Sequence, residues 1–309
     1  GANLQGIVSV EEMCWGDVGL MLSIPGQGLG NAAVQAVGTP EQKDKFGQLY
    51  CAMAITEPEA GSDSAAVQTT ARLDGDEWVL NGNKMWISNG NVASFVVVMA
   101  KTDSDAGYKG ISAFVVPTDR EGFEAESIDN KLGIRAQDLA ELLLNDVRIP
   151  ERYLIGEENK GFYQLMDLLN KGRVNVAAQG VGVAQAAWEE SRDYAKEREQ
   201  FDQPISDFQA IRHKIAEMQT KIEASRSLTY RAAQAIEEGR DEVRHLCSMA
   251  KLFASERANE VTDEAVQIFG GSGYVSDYPV ERYFRDARIT KIYEGANEIH
   301  KNIIADQSL

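Results

Sequence analysis

Residues that build cross-links and metal centres are scarce in this sequence, which has 3 cysteines and 3 histidines among 309 residues. Cys14, Cys51 and Cys247 lie far apart and show no metal-ligand spacing, so we expect buried, reduced thiols in a cytoplasmic-type compartment. The histidines stand alone in stretches with helical patterning, at His213, His245 and His300. The sequence therefore predicts no metal site.

Positive charge is scarce as well. The chain has 31 Lys+Arg against 48 Asp+Glu, which gives a formal net charge of -17. Such a field repels phosphate backbones, so we expect no nucleic-acid partner. An acidic excess is typical of solvated helix faces, and adaptation of the source organism to salt is the alternative explanation.

A long hydrophobic run is also missing. The longest run, residues 95–100, is far too short to cross a bilayer, so we expect no membrane insertion. The composition is that of an ordinary globular chain, with only 7 prolines, 43% hydrophobic residues and 26% charged residues. Its length is sufficient for two or three domains. It opens at Gly1 without a methionine or a signal peptide, so we expect that an N-terminal segment has been removed. The expected location is the cytoplasm of a prokaryote, with the mitochondrial matrix as the alternative.

Three segments differ in their periodicity and together predict an α+β fold. Residues 1–50 are expected to form an N-terminal helical domain, in which Thr39 caps a short helix. Residues 51–155 contain β-rich runs that predict a small antiparallel barrel or sandwich. These runs cover 68–73, 78–80, 84–88, 95–101, 111–116 and 141–149. Tight turns are expected at Asp74-Gly75 and Asn81-Gly82.

The last segment, residues 156–309, carries two apolar stripes that step by three and four, as in helices that bury one face. The first stripe consists of Phe208, Ile211, Ile215, Met218 and Ile222. The second consists of Val243, Leu246, Ala250, Phe253 and Val261. Breaks at 201–204 and 238–241 separate long helices, which predicts a C-terminal four-helix bundle.

The most informative stretch lies near the end of the chain. We expect a helix to end at Gly270-Gly271, where glycine supplies a left-handed cap and lets a ligand approach the backbone. Pro279 is expected to restart a helix, with Asp277 as its cap. Glu294 then stands in a short turn before a final helix. This is a position in which a carboxylate can be partly shielded from water and act as a base.

Three motifs agree with one another. The first motif has two parts, a set of spaced residues and the sequence Ile-Tyr-Glu-Gly at 292–295. The spaced residues are Gln267, Gly270, Gly271, Gly273, Asp277, Arg282 and Asp286. This motif resembles the C-terminal signature of the acyl-CoA dehydrogenase family. Residues 54–63 (Ala-Ile-Thr-Glu-Pro-Glu-Ala-Gly-Ser-Asp) and 84–90 (Lys-Met-Trp-Ile-Ser-Asn-Gly) are similar to two further family motifs. The order of helices, strands and helices also fits the family along the whole chain, with a shortened N-terminal domain.

The resemblance implies FAD-dependent α,β-dehydrogenation of an acyl-CoA thioester to the trans-2-enoyl-CoA. Glu294 would remove the α-proton while the β-hydrogen leaves as hydride to flavin N5. A flavin ribityl hydroxyl and the backbone N–H of Glu294 would polarise the thioester carbonyl, and desolvation should raise the pKa of Glu294. Some family members place the base at the position of Gly172, which cannot serve, so Glu294 is favoured.

The resemblance also assigns a set of FAD contacts. Met53 to Thr56 would line the pyrimidine end, Trp86 would shield the flavin ring and Ser88 would bond near N5; a core tryptophan is the alternative interpretation of Trp86. The full expected set is Met53, Ile55, Thr56, Gly61, Trp86, Ile87, Ser88, Arg198, Phe201, Gln209, Gln267, Gly270, Gly271 and Asn297. Within it, Arg198, Phe201 and Gln209 would reach the FAD of a neighbouring subunit.

The expected substrate contacts are Ser62, Arg173, Tyr293 and Gly295. Asn170 stands where the family often has a substrate-binding Asp, and Ala296 stands where Thr is common, so the resemblance is weaker at these two positions. Acyl length stays open, although the final motif resembles short-chain members most.

The resemblance further implies an electron-transfer flavoprotein as electron acceptor and a homo-oligomer, expected to be a tetramer. Two alternatives remain for the function of the chain. An acyl-CoA oxidase would pass the electrons of the reduced flavin to oxygen, and a catalytically silent paralogue would act as an assembly factor. The presence of Glu294, Trp86 and Ser62 argues against the silent paralogue.

Overall fold

The computed structural model describes residues 3–24 and 28–309, and the chain divides into two compact units. The helical unit comprises Gly1–Met21, Leu132–Ile134 and Asn170–Leu309, and the sheet unit comprises Leu22–Lys131 and Arg135–Leu169. In the described residues the α-helices are α1 (Leu4–Gly16), α2 (Val18–Leu22), α3 (Leu29–Val37), α4 (Pro40–Phe46), α5 (Gly161–Glu197), α6 (Gln209–Glu238), α7 (Val243–Phe269), α8 (Val280–Ala287) and α9 (Asn297–Ser308). The three-domain division at 50 and 155 stays a prediction.

The strands in the described residues are β1 (Cys51–Ala54), β2 (Thr70–Asp74), β3 (Glu77–Ser88), β4 (Phe95–Lys101), β5 (Ile111–Pro117), β6 (Phe123–Ser127), β7 (Leu139–Pro150), β8 (Leu154–Ile155), β9 (Glu199–Gln200) and β10 (Gln203–Pro204). Eight of them form one sheet in the order β6-β7-β3-β2-β4-β5-β8, with β1 paired to β4. Pairing is antiparallel except that β1 and β2 each run parallel to β4. The predicted succession of helices, a central sheet and a helical domain is confirmed.

The centre of the sheet unit is fully covered on both faces. Every residue of β5 is buried, and so are the five central residues of β4. The side chains of Val96, Val98, Phe114 and Val116 have 0% exposure. This explains why β4 and β5 read as continuous apolar runs rather than as alternating ones.

One of the two predicted tight turns is wrong. Asp74 and Glu77 pair across a two-residue turn with Gly75 at φ 68, which confirms the first. Asn81-Gly82 does not reverse the chain, because β3 continues through it with a register shift between Leu80 and Gly82. A β-carbon built on Gly82 would lie 2.3 Å from Oγ1 of Thr69. The glycine is therefore required by close approach of a neighbouring segment at a bulge, rather than by a turn.

Helix ends follow the sequence in most places. Thr39 caps α4 in a capping box with Gln42, as predicted. Helix α7 ends at Phe269, and Gly270 has a positive φ of 61 with ψ -134, so the predicted end is confirmed although ψ lies outside the left-handed helical region. The expected cap of α8 is wrong, because Pro279 occupies the N-cap position and makes no side-chain capping bond. Asp277 lies before that position.

The helical unit buries only part of the predicted stripes. On α6, Met218 and Ile222 are buried, but Phe208, Ile211 and Ile215 are only half-buried. On α7, Leu246, Ala250 and Val261 are buried, whereas Val243 and Phe253 are half-buried. The prediction of core-facing stripes is therefore confirmed for the later turns of α6 and wrong for its first turns.

Helix α1 joins the helical unit through a polar contact with α6. The carboxylate of Glu11 accepts hydrogen bonds from Arg226 at 2.7 Å and from the Tyr230 hydroxyl at 2.9 Å. Cys14, Cys51 and Cys247 are free and buried, as predicted. Among the described residues, the search for membrane-spanning segments finds no helix with both the length and the apolar character required.

Candidate active site

Glu294 lies in a strained turn of the helical unit. A short 3-10 turn ends at Lys291 and α9 begins at Asn297, so the residues between must connect the two. Glu294 adopts φ 54 and Gly295 φ 92. A positive φ is uncommon for a residue with a side chain and persists where surrounding contacts hold it, which is typical of functional sites.

The carboxyl group of Glu294 packs against the backbone of α5. A β-carbon built on Gly172 would lie 2.6 Å from Oε2 of Glu294 and 2.9 Å from its Cδ. Glycine at position 172 therefore leaves the space that the carboxyl group occupies. Gly172 cannot itself be a base, as expected from the sequence, and its missing side chain makes room for Glu294.

One oxygen of the carboxylate is buried without a hydrogen-bonding partner, although Glu294 as a whole is half-buried. Oε2 of Glu294 has no partner among the described residues. Burial raises the pKa of Glu294 to about 7, while the charges of Arg173 and Lys251 act in the opposite direction. This confirms the predicted direction of the shift. A carboxyl group with a pKa near neutrality is a stronger base than an exposed glutamate, yet it is still partly ionised at pH 7.

Arg173 supplies one of the two neighbouring charges. Its side chain is 6% exposed, and Nη1 donates to Oδ1 of Asn170 at 2.8 Å. Nε is buried without a partner among the described residues. Burial lowers the pKa of Arg173, and Glu294 partly offsets this effect. Tyr293, next to the base, donates its hydroxyl hydrogen to Gln179.

Two residues of this site were missed in the sequence. Lys251 on α7 has 0% exposure and donates to the backbone oxygen of Gly295 at 2.6 Å. His300 on α9, which the sequence predicts to be isolated, has Nε2 at 3.2 Å from the backbone oxygen of Glu294. A lysine beside Ala250 in the predicted apolar stripe was the available signal for the first.

The predicted cofactor residue Asn297 belongs to the same cluster. Its side chain is 2% exposed, and its Oδ1 accepts from Lys251 at 2.9 Å. Its amide nitrogen donates to Oγ of Ser255 at 3.0 Å. Both ends of the amide are thus bound within the helical unit, and a cofactor contact by Asn297 stays a prediction.

A buried ion pair joins two predicted FAD motifs in the sheet unit. Lys84 has 0% exposure. Its Nζ lies 2.7 Å from Oε1 of Glu57 and 3.0 Å from the backbone oxygen of Ile55. The backbone N–H of Met85 donates to the oxygen of Thr56 at 2.9 Å. Burial lowers the pKa of Lys84 to about 8, and Glu57 opposes that shift. The segment 53–57 is therefore fixed against β3.

Trp86 is displayed at the surface rather than buried. It has φ 62 and is 58% exposed, while Ile87 beside it is 2% exposed. Ser88 is exposed as well. The alternative of a core tryptophan is therefore wrong, and β3 presents an aromatic plane and a hydroxyl donor of the kind that a flat ring system can use.

Two of the three predicted inter-subunit residues, Arg198 and Phe201, lie at an exposed hairpin of the helical unit, whereas Gln209 is the exposed first residue of α6. Strands β9 and β10 pair around Phe201 and Asp202, which have φ 56 and 62. Phe201 is 88% exposed and contacts the ring of Phe208 at a centroid distance of 5.9 Å. Arg198 is exposed at the start of this hairpin. The ring of Phe201 is therefore free to contact a second surface, and its contact with a neighbouring subunit stays a prediction.

The remaining predicted residues fall into two groups. Gln267, Gly270 and Gly271 are exposed, and a β-carbon on either glycine would meet nothing within 4 Å. Within the sheet unit, Gly61 and Ser62 are exposed in the loop after β1. The structure thus brings Arg173, Tyr293, Glu294, Gly295 and Asn297 together in the helical unit, and keeps Met53, Ile55, Thr56, Trp86, Ile87 and Ser88 in the sheet unit.

The described residues contain no group of three or more metal-ligating side chains.

Comparison with known proteins gives two family matches. The acyl-CoA dehydrogenase middle domain matches residues 52–147, and the acyl-CoA dehydrogenase C-terminal domain matches residues 159–309. A short-chain-specific acyl-CoA dehydrogenase of Clostridium acetobutylicum is 43% identical over 99% of this chain and 82% of its own length. The chain belongs to the acyl-CoA dehydrogenase family.

Solved structures of the family agree with the fold. Butyryl-CoA dehydrogenase from Megasphaera elsdenii has a TM-score of 0.95 at 39% identity, covering 100% of this chain and 82% of the other. A chain in a structure described as the electron-transferring flavoprotein of Acidaminococcus fermentans has a TM-score of 0.95 at 44% identity, covering 98% and 81%. The acyl-CoA dehydrogenase family comprises FAD-dependent oxidoreductases that dehydrogenate acyl-CoA, with bacterial and mitochondrial members.

Proposed function

We propose that this protein converts an acyl-CoA to the trans-2-enoyl-CoA, with Glu294 as the base that removes the α-proton. The observation that carries this proposal is the unpartnered, buried carboxylate oxygen of Glu294, held beside Gly172 with a pKa raised to about 7. A buried acceptor without a donor is costly to a fold unless a ligand supplies the missing proton donor. A substrate C–H group that becomes acidic next to a thioester is such a ligand.

The residues present fit FAD. Exposed Trp86 offers a stacking surface, Ser88 offers a hydroxyl, and the ion pair of Glu57 with Lys84 holds the segment 53–57 beside them. Bound FAD would supply an acceptor for the hydride that leaves the β-carbon. The proposed FAD contacts are Met53, Ile55, Thr56, Gly61, Trp86, Ile87, Ser88, Arg198, Phe201, Gln209, Gln267, Gly270, Gly271 and Asn297.

For the substrate, this proposal gives distinct tasks to the residues around the base. The backbone N–H of Glu294 polarises the thioester carbonyl, since a donor pre-positioned at a developing enolate oxygen stabilises it. Arg173, Tyr293 and Gly295 shape the surroundings of the carboxylate, and Ser62 contacts the pantetheine or phosphate portion. Short acyl chains are the proposed substrates, since the C. acetobutylicum relative is named as short-chain specific.

The proposed electron acceptor is an electron-transfer flavoprotein. The similarity to a chain from an electron-transferring flavoprotein structure supports this partner. An acyl-CoA oxidase is separated from this proposal by exposing the reduced protein to air, because an oxidase is reoxidised at once. A silent paralogue acting as an assembly factor would not need a buried base with a pKa near 7.

The proposed function is tested by adding acyl-CoAs of C4 to C16 and branched chains to the FAD-loaded protein under anaerobic conditions. We expect the flavin absorbance to bleach with short chains and much more slowly with long ones. The enoyl-CoA formed should match the flavin reduced, one to one. Retention of FAD without bleaching by any acyl-CoA of the panel would contradict the proposal.

We propose that the hairpin of β9 and β10 contacts the FAD of a neighbouring subunit and that the protein is a homotetramer. Phe201→Ala removes the exposed ring, so we expect loss of FAD and dissociation to smaller species, because a cofactor bound across two subunits stabilises their association. Sizing chromatography with absorbance at the flavin band measures both. Leu73→Ala, an exposed apolar residue of β2, is the control. Monomers that keep full FAD would contradict the shared site.

A further inference from the structure

Helix α7 carries a polar stripe on a face that is otherwise built from buried alanines. The stripe consists of Lys251, Ser255 and Asn259, which are spaced by four residues and therefore lie on one side of the helix. Lys251 and Ser255 have 0% exposure. Polar side chains are retained in such a place when each is paired, so their partners indicate what the stripe does.

The partners of the stripe lie in one segment, the one that carries Glu294. Asn259 donates to the backbone oxygen of Ala287 at 3.0 Å, at the end of α8. Ser255 pairs with the amide of Asn297 at 3.0 Å, at the start of α9. Lys251, at the other end of the stripe from Asn259, donates to the backbone oxygen of Gly295 within the turn itself. The stripe therefore anchors both ends of the connection in which Glu294 sits.

Lys251 and His300 bind the two successive carbonyl groups of that turn. Nζ of Lys251 donates to the oxygen of Gly295 at 2.6 Å and to Oδ1 of Asn297 at 2.9 Å. Nε2 of His300 lies 3.2 Å from the oxygen of Glu294. The positive φ of Glu294 is strained, whereas glycine adopts the positive φ of Gly295 freely, and contacts of this kind allow the strained value to persist.

The titratable side chains around the base come from three helices. Arg173 on α5 and Lys251 on α7 are the cations whose fields act on Glu294. His300 on α9 stays neutral, because burial together with these two cations lowers its pKa to about 3. Burial lowers the pKa of Lys251 to about 7, with Glu294 and Glu298 opposing this shift and Arg173 adding to it.

We propose that Lys251 is a positioning residue for Glu294: its ammonium group holds the turn at Gly295 and Asn297 and keeps a positive charge beside the carboxylate. The proposal rests on the proposed function, because it assumes that Glu294 is the base. The hydrogen bonds of Lys251 go to the backbone oxygen of Gly295 and to the side chain of Asn297. Lys251 acts through the backbone of the turn and through its charge, which favours the ionised form of Glu294.

Lys251→Met tests the proposal, because methionine has a similar length without charge or N–H donors. Loss of the cation should shift the acidic limb of the pH profile of flavin reduction upward by about one pH unit, since an adjacent opposite charge has that effect on a carboxyl group. The maximal rate should fall at least about 10-fold as the turn loosens. Lys251→Arg retains the positive charge, so the acidic limb of its pH profile should stay at the native pH. Lys301→Met, a 57% exposed lysine of α9, is the control.

A second measurement does not depend on turnover. In the FAD-free protein, the infrared band of the protonated Glu294 carboxyl group is identified by its loss in Glu294→Gln, and its pH midpoint is followed. The midpoint should rise by about one unit in Lys251→Met, since the favourable charge is gone. Lys251→Gln keeps an N–H donor on the stripe and is the second variant if the methionine protein does not fold, with the same expected rise.

The outcomes separate this inference from the proposed function. If the native protein fails to reduce its flavin, the proposed function fails and Lys251 positions no base. If native protein reacts and Glu294→Gln does not, but the midpoint and pH limb are unchanged in Lys251→Met or Lys251→Gln, the inference is wrong and the proposed function stands. An equal shift in Lys301→Met would also overturn it, because the effect would then be a general loss of charge.

Discussion

Glu294→Gln protein is expected to reduce its flavin with acyl-CoA on the order of 10⁴-fold more slowly than the native protein, at the upper end of what general-base catalysis contributes. Glutamine has nearly the same volume and leaves the backbone N–H in place, so FAD and substrate should still bind. The basic oxygen is what disappears, and hydride departure is coupled to loss of the α-proton. Anaerobic stopped-flow absorbance at equal FAD content measures the rate.

Glu298→Gln is the matched control for this prediction, because Glu298 is an exposed residue of the first turn of α9. It should bleach its flavin at the native rate. A persistent substrate-induced spectral shift in Glu294→Gln would show that binding is intact. Native-like reduction by Glu294→Gln would instead show that a group other than Glu294 removes the α-proton.

The burial of Glu294 predicts how the stability of the FAD-free protein changes with pH. Folding raises the pKa of Glu294 from 4.5 to about 7, so the folded state binds this proton more tightly than the unfolded state. The contribution to stability is complete below pH 4.5 and is lost as the pH rises through about 7. Glu294→Gln abolishes that loss. Its melting temperature should exceed the native value at pH 8 and not at pH 4.

Gly172→Ala should lower the rate of flavin reduction by about 10²-fold, because small displacements of a reacting group carry penalties of this size. The new β-carbon would lie 2.6 Å from Oε2 of Glu294, and the carboxyl group has to move away. The flexible end of Glu294 can yield without disturbing the fold. Alanine also favours the helix by roughly 0.5–1 kcal/mol over glycine. The variant is therefore expected to be at least as stable as the native protein, although it is far less active.

Gly180→Ala on the same helix is the control for this second prediction. Its β-carbon would meet the backbone oxygen of Ala254 at 3.1 Å and does not approach Glu294. It gains the same helix propensity, and we expect a rate within a factor of a few of the native one. Rate and melting temperature, measured together for both variants, separate displacement of the base from general damage. Equal rates for Gly172→Ala and native protein would show that the carboxyl position does not limit the reaction.

The sequence predicted the elements that depend on local chemistry. Thr39 with Gln42 three residues later specifies a helix start, and Gly270 specifies a helix end, because both act within one turn of the chain. The Asp74-Gly75 turn belongs to the same class. Asn81-Gly82 has the same local signal, yet β3 continues through it with a bulge, where Thr69 of a neighbouring segment approaches Gly82. A tertiary contact of this kind is not encoded in a two-residue pattern.

The base was predictable from its motif, and its environment was not. The Ile-Tyr-Glu-Gly sequence places Glu294 before a helix. The space that its carboxyl group occupies, however, is left by Gly172, which lies 122 positions earlier in the chain (294 − 172). Lys251 follows Ala250 of the predicted apolar stripe in the sequence, and patterning alone does not show whether a lysine at that position is solvated or buried. Its burial follows from the carbonyl group of Gly295, which only the folded chain brings to it. Exposure of Trp86 likewise depends on the positive φ of β3 at that position.

Proton abstraction by Glu294 is tested most directly with a 3-thiaacyl-CoA, in which sulphur replaces the β-methylene group and no β-hydrogen can leave. Exchange of its α-protons in D₂O, followed by proton NMR with the FAD-loaded protein, reports removal of the α-proton without flavin reduction. A base at Glu294 predicts exchange with native protein and with Glu298→Gln, and at most about 1% of that rate with Glu294→Gln, from the 10²–10⁴-fold contribution of a general base. Native-rate exchange with Glu294→Gln at equal FAD content would contradict it, since another group would then be removing the proton.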